Sequence, residues 1–96
     1  MRRDEALQCL KAHKAEIVSR YGVKRLALFG STARDEARED SDVDVLVDFV
    51  RPTFRGYMGL KFYLEDCLHL PVDLVIEDSI RAPLRPYIQG EAIDVA

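Results

Sequence analysis

Tryptophan is absent, cysteine and histidine occur twice each, and the chain holds only five glycines and four prolines. Cys9 and Cys67 stand far apart and match no metal-ligand spacing. Both fall in amphipathic segments, where they read as buried free thiols, and a reducing, cytoplasmic compartment is the expected consequence. So little glycine and proline excludes a low-complexity linker. No apolar run approaches the roughly 18–20 residues that a bilayer requires, so no membrane association is expected. Behind Arg2 and Arg3 there is no apolar stretch, so the start does not read as a secretory signal. Positive charge is not in excess either: 14 Lys and Arg face 17 Asp and Glu, a net charge of −3. Broad electrostatic adhesion to nucleic acid is therefore not expected, and a basic patch on one face stays open.

What is present describes a globular chain, 48% hydrophobic and 32% charged. Ninety-six residues leave room for one small core, and one domain over residues 1–96 is predicted. A core of that size, without disulfides, leans on close packing or on a partner. Ala6, Leu10, His13, Ile17 and Tyr21 recur at helical spacing, with Asp4 and Glu5 at the start and Gly22 at the stop. Val23 to Phe29 reads as a strand, and residues 32–38 as a brief helix running into a polar loop. In the strand from Asp42 to Phe49, Val43, Val45, Val47 and Phe49 share one face, and Asp42, Asp44, Leu46 and Asp48 the other. A second long helix spans Arg55 to about Leu70, and a third strand Val72 to Glu77. A short helix from Leu84 to Gln89 and an extended tail close the chain. This alternation predicts an α/β (α+β) sandwich with at least three central strands and no internal repeat.

Asp42 and Asp44 project the same way from one pleat. Two carboxylates so close resist ionising together, and a divalent cation between them relieves the repulsion. Their oxygens are the hard ligands that Mg²⁺ prefers. Asp73, near the start of another strand, can reach the same face, and three carboxylates suffice to clamp two ions about 3.5–4 Å apart. Gly30 and Ser31 follow a strand and open a helix, where bare backbone can approach an anion. Ser31 suits a helix cap or a phosphate contact equally. Arg34 can neutralise a phosphate or one of the acids, and Ser41 can brace the loop. Taken singly, each has a plainer reading: a solvated strand end, a structural turn, a surface charge, a local pair. Together, in this order and on these elements, they become specific.

The run Gly30-Ser31-Thr32-Ala33-Arg34, with ten residues between Ser31 and Asp42, then Ser41-Asp42-Val43-Asp44, resembles the signature of the polymerase-beta-like nucleotidyltransferases. The surrounding text is similar to the minimal nucleotidyltransferase (MNT) family, often found beside a HEPN-domain ribonuclease toxin. Leu64 to Val75 resembles that family's third-carboxylate segment, and Leu84 to Ala92 its C-terminal helix. The resemblance covers nearly the whole chain. It implies a small mixed sheet flanked by helices, with Asp42, Asp44 and Asp73 as catalytic and metal-binding acids. Gly30 and Ser31, with Arg34 and Ser41, fall at the nucleotide-binding positions. Two departures stand out. Asp35 replaces a common Gly, which places a negative charge beside the expected triphosphate, and His69 replaces a Gly at the end of the long helix. His69 reads as a helix-end residue, and His13, on the apolar stripe of the first helix, as packing.

The function implied is Mg²⁺-dependent transfer of AMP from ATP to a tyrosine hydroxyl of a HEPN toxin, with a pair of ions and a toxin–antitoxin hetero-oligomer. The main rival is an antitoxin that acts by occlusion, for which Phe54, Tyr57 and Met58 offer apolar contacts. A small-molecule nucleotidyltransferase working as an oligomer is the third reading. No direct nucleic-acid substrate is expected.

Overall fold

The computed structural model describes residues 1–95, and begins with helix α1 (Arg3–Tyr21). Asp4 and Glu5 occupy its first turn, and Gly22 stops it in the left-handed region at φ 64°, its N–H bonded to the Val18 carbonyl. Strand β1 (Val23–Phe29) follows, then the single-turn α2 (Gly30–Ala33) and β2 (Val43–Phe49). Helix α3 (Phe54–Leu68) is capped by the Thr53 hydroxyl, which accepts the Gly56 N–H at 3.0 Å. Strand β3 (Val72–Ile76), a 3₁₀ turn (Glu77–Ser79), α4 (Arg85–Glu91) and β4 (Ile93–Asp94) complete the order.

The four strands form one mixed sheet in the order β3-β2-β1-β4. β1 runs antiparallel to both β2 and β4, and β2 runs parallel to β3, to which α3 is the crossover. Period-two alternation then divides the burial. Val43, Val45, Val47 and Phe49 meet Ala6, Leu10 and Ile17 of α1 and Leu60, Leu64 and Leu68 of α3 in the main core. On the opposite face Ala27, Phe29, Leu46 and Ile80 make a second, much smaller cluster, against which Val75, Ile88 and Ala92 pack. α4 contributes no fully buried residue to it. One face of the sheet is thickly covered and the other thinly.

Several boundaries differ from those predicted. α2 starts at Gly30, not Thr32, and ends at Ala33, because Asp35 turns into the left-handed region at φ 60° and halts it. α3 stops at Leu68, where His69 takes φ 58°, the conformation for which a glycine would be the easy choice. α4 runs through Gly90 to Glu91, since the exposed last turn tolerates a glycine and the Ala92 N–H still reaches the Ile88 carbonyl. The extended tail is a short strand beside β1, and Val95 is anchored by donating to the Leu26 carbonyl at 2.9 Å. Cys9 and Cys67 are free and half-buried, and the Cys9 thiol donates to the Cys67 carbonyl across α1 and α3. His13 lies at the same seam, its Nδ1 2.9 Å from the Cys9 carbonyl and its ring edge-on to Tyr63. Among the described residues, no helix is long and apolar enough to cross a membrane.

Candidate functional site

The register places Phe29, Asp44 and Asp73 in one row across β1, β2 and β3. Their side chains therefore leave the same face of the sheet, the thinly covered one. Asp42 lies two residues before Asp44, just outside the strand, and follows the same pleat. Asp44 is half-buried, while Asp42 and Asp73 are exposed.

Directly after β1, Gly30 adopts φ +72° and its backbone lies against the Asp44 carboxyl. A β-carbon built on Gly30 would fall 2.8 Å from Asp44 Cγ, closer than side chains approach one another, and a tight 3.0 Å from its Cβ. Glycine is required twice here, by the backbone angle and by the neighbouring acid. Ser31 is half-buried next to it at the start of α2.

Burial foremost, and then the neighbouring charges of Asp73, Asp42 and Glu91, push the Asp44 carboxyl up from 3.8 to about 6. Arg34 acts the other way. The acids thus stand close enough to feel one another. Among the described residues, however, no three are drawn tightly enough to form a ready-made ion cage. A partly desolvated carboxylate among three like charges, with hard oxygen donors open to solvent, fits a divalent cation that keeps much of its own water.

Arg34, the residue that follows α2, is half exposed and already engaged. Its Nη1 donates to Glu91 Oε2 at 2.7 Å, and its Nε lies 3.4 Å from Glu36. Glu91 Oε1 in turn accepts the Gly30 N–H at 3.0 Å. Glu91 is the site residue that the sequence did not disclose. It lies 61 positions from Gly30, and its one local signal is an acid in the last turn of a helix, where the dipole disfavours negative charge unless a partner compensates. Ser41 has a bracing role: its hydroxyl accepts the Arg38 N–H at 3.0 Å, and its own N–H returns the bond to the Arg38 carbonyl.

Asp35, the departure expected to repel a phosphate chain, is turned to another use. Its Oδ1 accepts the Arg3 N–H at 2.9 Å, closing the start of α1, and Oδ2 pairs with Arg2 at 3.6 Å. The hydrogen bond from Arg3, with the nearby positive charges, holds its carboxyl below the usual range. The negative charge is thereby compensated locally. Thr32, by contrast, is fully buried and its hydroxyl has no partner among the described residues. Of the apolar residues expected at an interface, Phe54 is 82% exposed, whereas Tyr57 and Met58 are half-buried. The Tyr57 hydroxyl donates to the Leu74 carbonyl.

The arrangement sets three acids beside a glycine turn and an arginine, at the open end of the sheet. Such a set of groups suits a hydrated cation and a phosphate chain. The nucleotidyltransferase domain family model matches residues 10–95. Protein adenylyltransferase MntA of Thermococcus cleftensis is 42% identical over 93 residues, covering 96% of this chain and 94% of that protein. A solved structure described as a candidate minimal nucleotidyltransferase superposes with a TM-score of 0.82 at 39% identity, over 97% of this chain and 95% of the other. A chain of the tri-AMPylated Shewanella oneidensis HEPN toxin in complex with MNT antitoxin superposes with a TM-score of 0.67, over 94% of this chain and 71% of that one. At 18% identity that last likeness is one of fold alone.

Proposed function

The chain belongs to the nucleotidyltransferase domain family, in its minimal branch, and from that premise we propose that it transfers AMP from ATP to a hydroxyl of a partner protein. It does so as the antitoxin half of a toxin–antitoxin pair, with residues 1–96 acting as one catalytic unit in the cytoplasm. The observation that carries the reading is the meeting of the Asp44 carboxyl with the Gly30 turn, in the same strand row as Asp73. Acids suited to a cation stand there beside a backbone suited to a phosphate chain. The adenylyltransferase name of a full-length relative supports a protein acceptor. The AMP-bearing HEPN toxin bound to an MNT antitoxin supports a HEPN-domain partner, and we take a tyrosine hydroxyl as the acceptor.

Asp42, Asp44 and Asp73 would hold magnesium, as one ion or a pair, and when bound the metal supplies charge neutralisation at the phosphoryl oxygens. The Gly30 N–H, Ser31 and Arg34 bind and orient the phosphate chain. An Asp73 carboxylate oxygen takes the proton from the attacking hydroxyl as the hydroxyl oxygen bonds the α-phosphorus of ATP and pyrophosphate leaves. Ser41 holds the loop that leads into Asp42.

The test combines the protein with labelled ATP, magnesium and a HEPN-domain protein, sought first in the reading frame next to its gene. Label should appear on that protein, and Asp42→Ala with Asp44→Ala should abolish it while melting stays cooperative. Label that survives the double substitution, or none at all with the wild type, overturns the reading. Occlusion has its own support in exposed Phe54, which borders a cavity of about 330 Å³ lined with Pro52, Thr53, Tyr57 and Ile76. A double variant that still neutralises the toxin would favour it.

A further inference from the structure

The Gly30 N–H and the Arg34 guanidinium, two of the three groups assigned above to the phosphate chain, are both occupied by one carboxylate. Glu91 Oε1 takes the first at 3.0 Å and Oε2 the second at 2.7 Å. We infer that Glu91 is an anion already seated in the phosphate slot, so that it competes with the nucleotide and sets how tightly the nucleotide is held. The inference rests on the nucleotide reading of Gly30 and Arg34.

Three features favour competition over a purely structural tie. Glu91 ends α4, which places no residue fully in the core, so the helix can swing away without opening the main core. Its side chain is 30% exposed, so a ligand can reach it. And its charge faces Asp44 as well as Arg34, so its position is contested by the acid next to it. A phosphate chain carries more negative charge than a single carboxylate and offers several acceptor oxygens to the same two donors. Once displaced, Glu91 would leave the acids with one like charge fewer beside them.

The expected consequence is that removing the competitor tightens binding. If Glu91 closes the slot nine-tenths of the time, opening it permanently strengthens apparent affinity about tenfold. The experiment is calorimetric titration of ATP with magnesium into wild type and Glu91→Gln, each checked for a cooperative melt. Glu91→Asp, which keeps the charge and shortens the reach, is the second variant and should give a smaller gain. In the wild type, ATP should also speed hydrogen exchange across residues 85–91 as α4 is released. Equal or weaker ATP binding by Glu91→Gln overturns the inference while leaving the nucleotide reading intact. No ATP uptake by any of the three proteins overturns both.

Discussion

Replacing Asp44 by Asn should make the protein more stable while removing its activity. An acid whose carboxyl is pushed from 3.8 to about 6 in the folded chain ionises more readily when unfolded. Above about pH 6 both states carry the charge, and the folded state bears the full penalty of holding it. Between about pH 6 and 4 the folded state keeps its proton while the unfolded state ionises, so stability declines as pH rises through that window. Below it, neither state is ionised and the penalty vanishes. A gap of that size corresponds to about 3 kcal/mol at most. Solvent around a half-buried carboxylate reduces this to about 1–2 kcal/mol. In a domain of this length the gain amounts to about 5–10 °C in melting temperature.

Thermal melts of wild type and Asp44→Asn, in chelator at pH 7.5 and again at pH 4, measure it directly. The variant should melt higher at pH 7.5 and level with the wild type at pH 4. Adding magnesium should then raise the wild type alone and narrow the difference, because ion binding relieves the same repulsion. An Asp44→Asn protein no more stable than wild type at pH 7.5, or one whose advantage persists at pH 4, would refute the reasoning. In either case the charge on Asp44 would not be what strains the fold.

Gly30→Ala should fail for a different reason. Its β-carbon meets the Asp44 carboxyl at a backbone angle that already disfavours it, so a loss of about 2 kcal/mol or more is expected in denaturant unfolding, together with lost ATP binding. Thr32→Val removes a buried hydroxyl that has no partner among the described residues. It should raise stability by about 1 kcal/mol, read as a higher denaturation midpoint with an unchanged slope.

Local chemistry was legible, and long-range chemistry was not. The alternation in β2 assigned Val43, Val45, Val47 and Phe49 to the core and Asp44 to the opposite face because side-chain direction in a strand follows from position alone. The roles of Gly22 and His69 at helix ends were readable for the same reason. The adjacency of Asp44 and Asp73 depends on strand pairing, which a sequence motif implies and only a register establishes. Glu91 escaped notice because no local pattern links it to Gly30 or Arg34. Asp35 was read incorrectly as a charge left facing the site. Its partners are the start of α1, 32 positions upstream, which no spacing rule connects to it.

The unequal covering of the sheet gives these observations a common cause. Charged carboxylates need access to water, and they cannot share a face with the leucines of α1 and α3. On the thin face, Ala27, Phe29, Leu46 and Ile80 supply only enough packing to seat α4 and the 3₁₀ turn. Arg25 strengthens that seat by pairing with Glu77 of the turn and with Asp94 of β4, so the segments on either side of α4 are fixed while α4 itself is held by the partly buried Ile88 and by the polar ties of Arg85 and Glu91. Stability and site are thereby assigned to opposite faces. A helix held this lightly can release Glu91 while the main core stays closed, and local opening of that kind requires far less free energy than global unfolding.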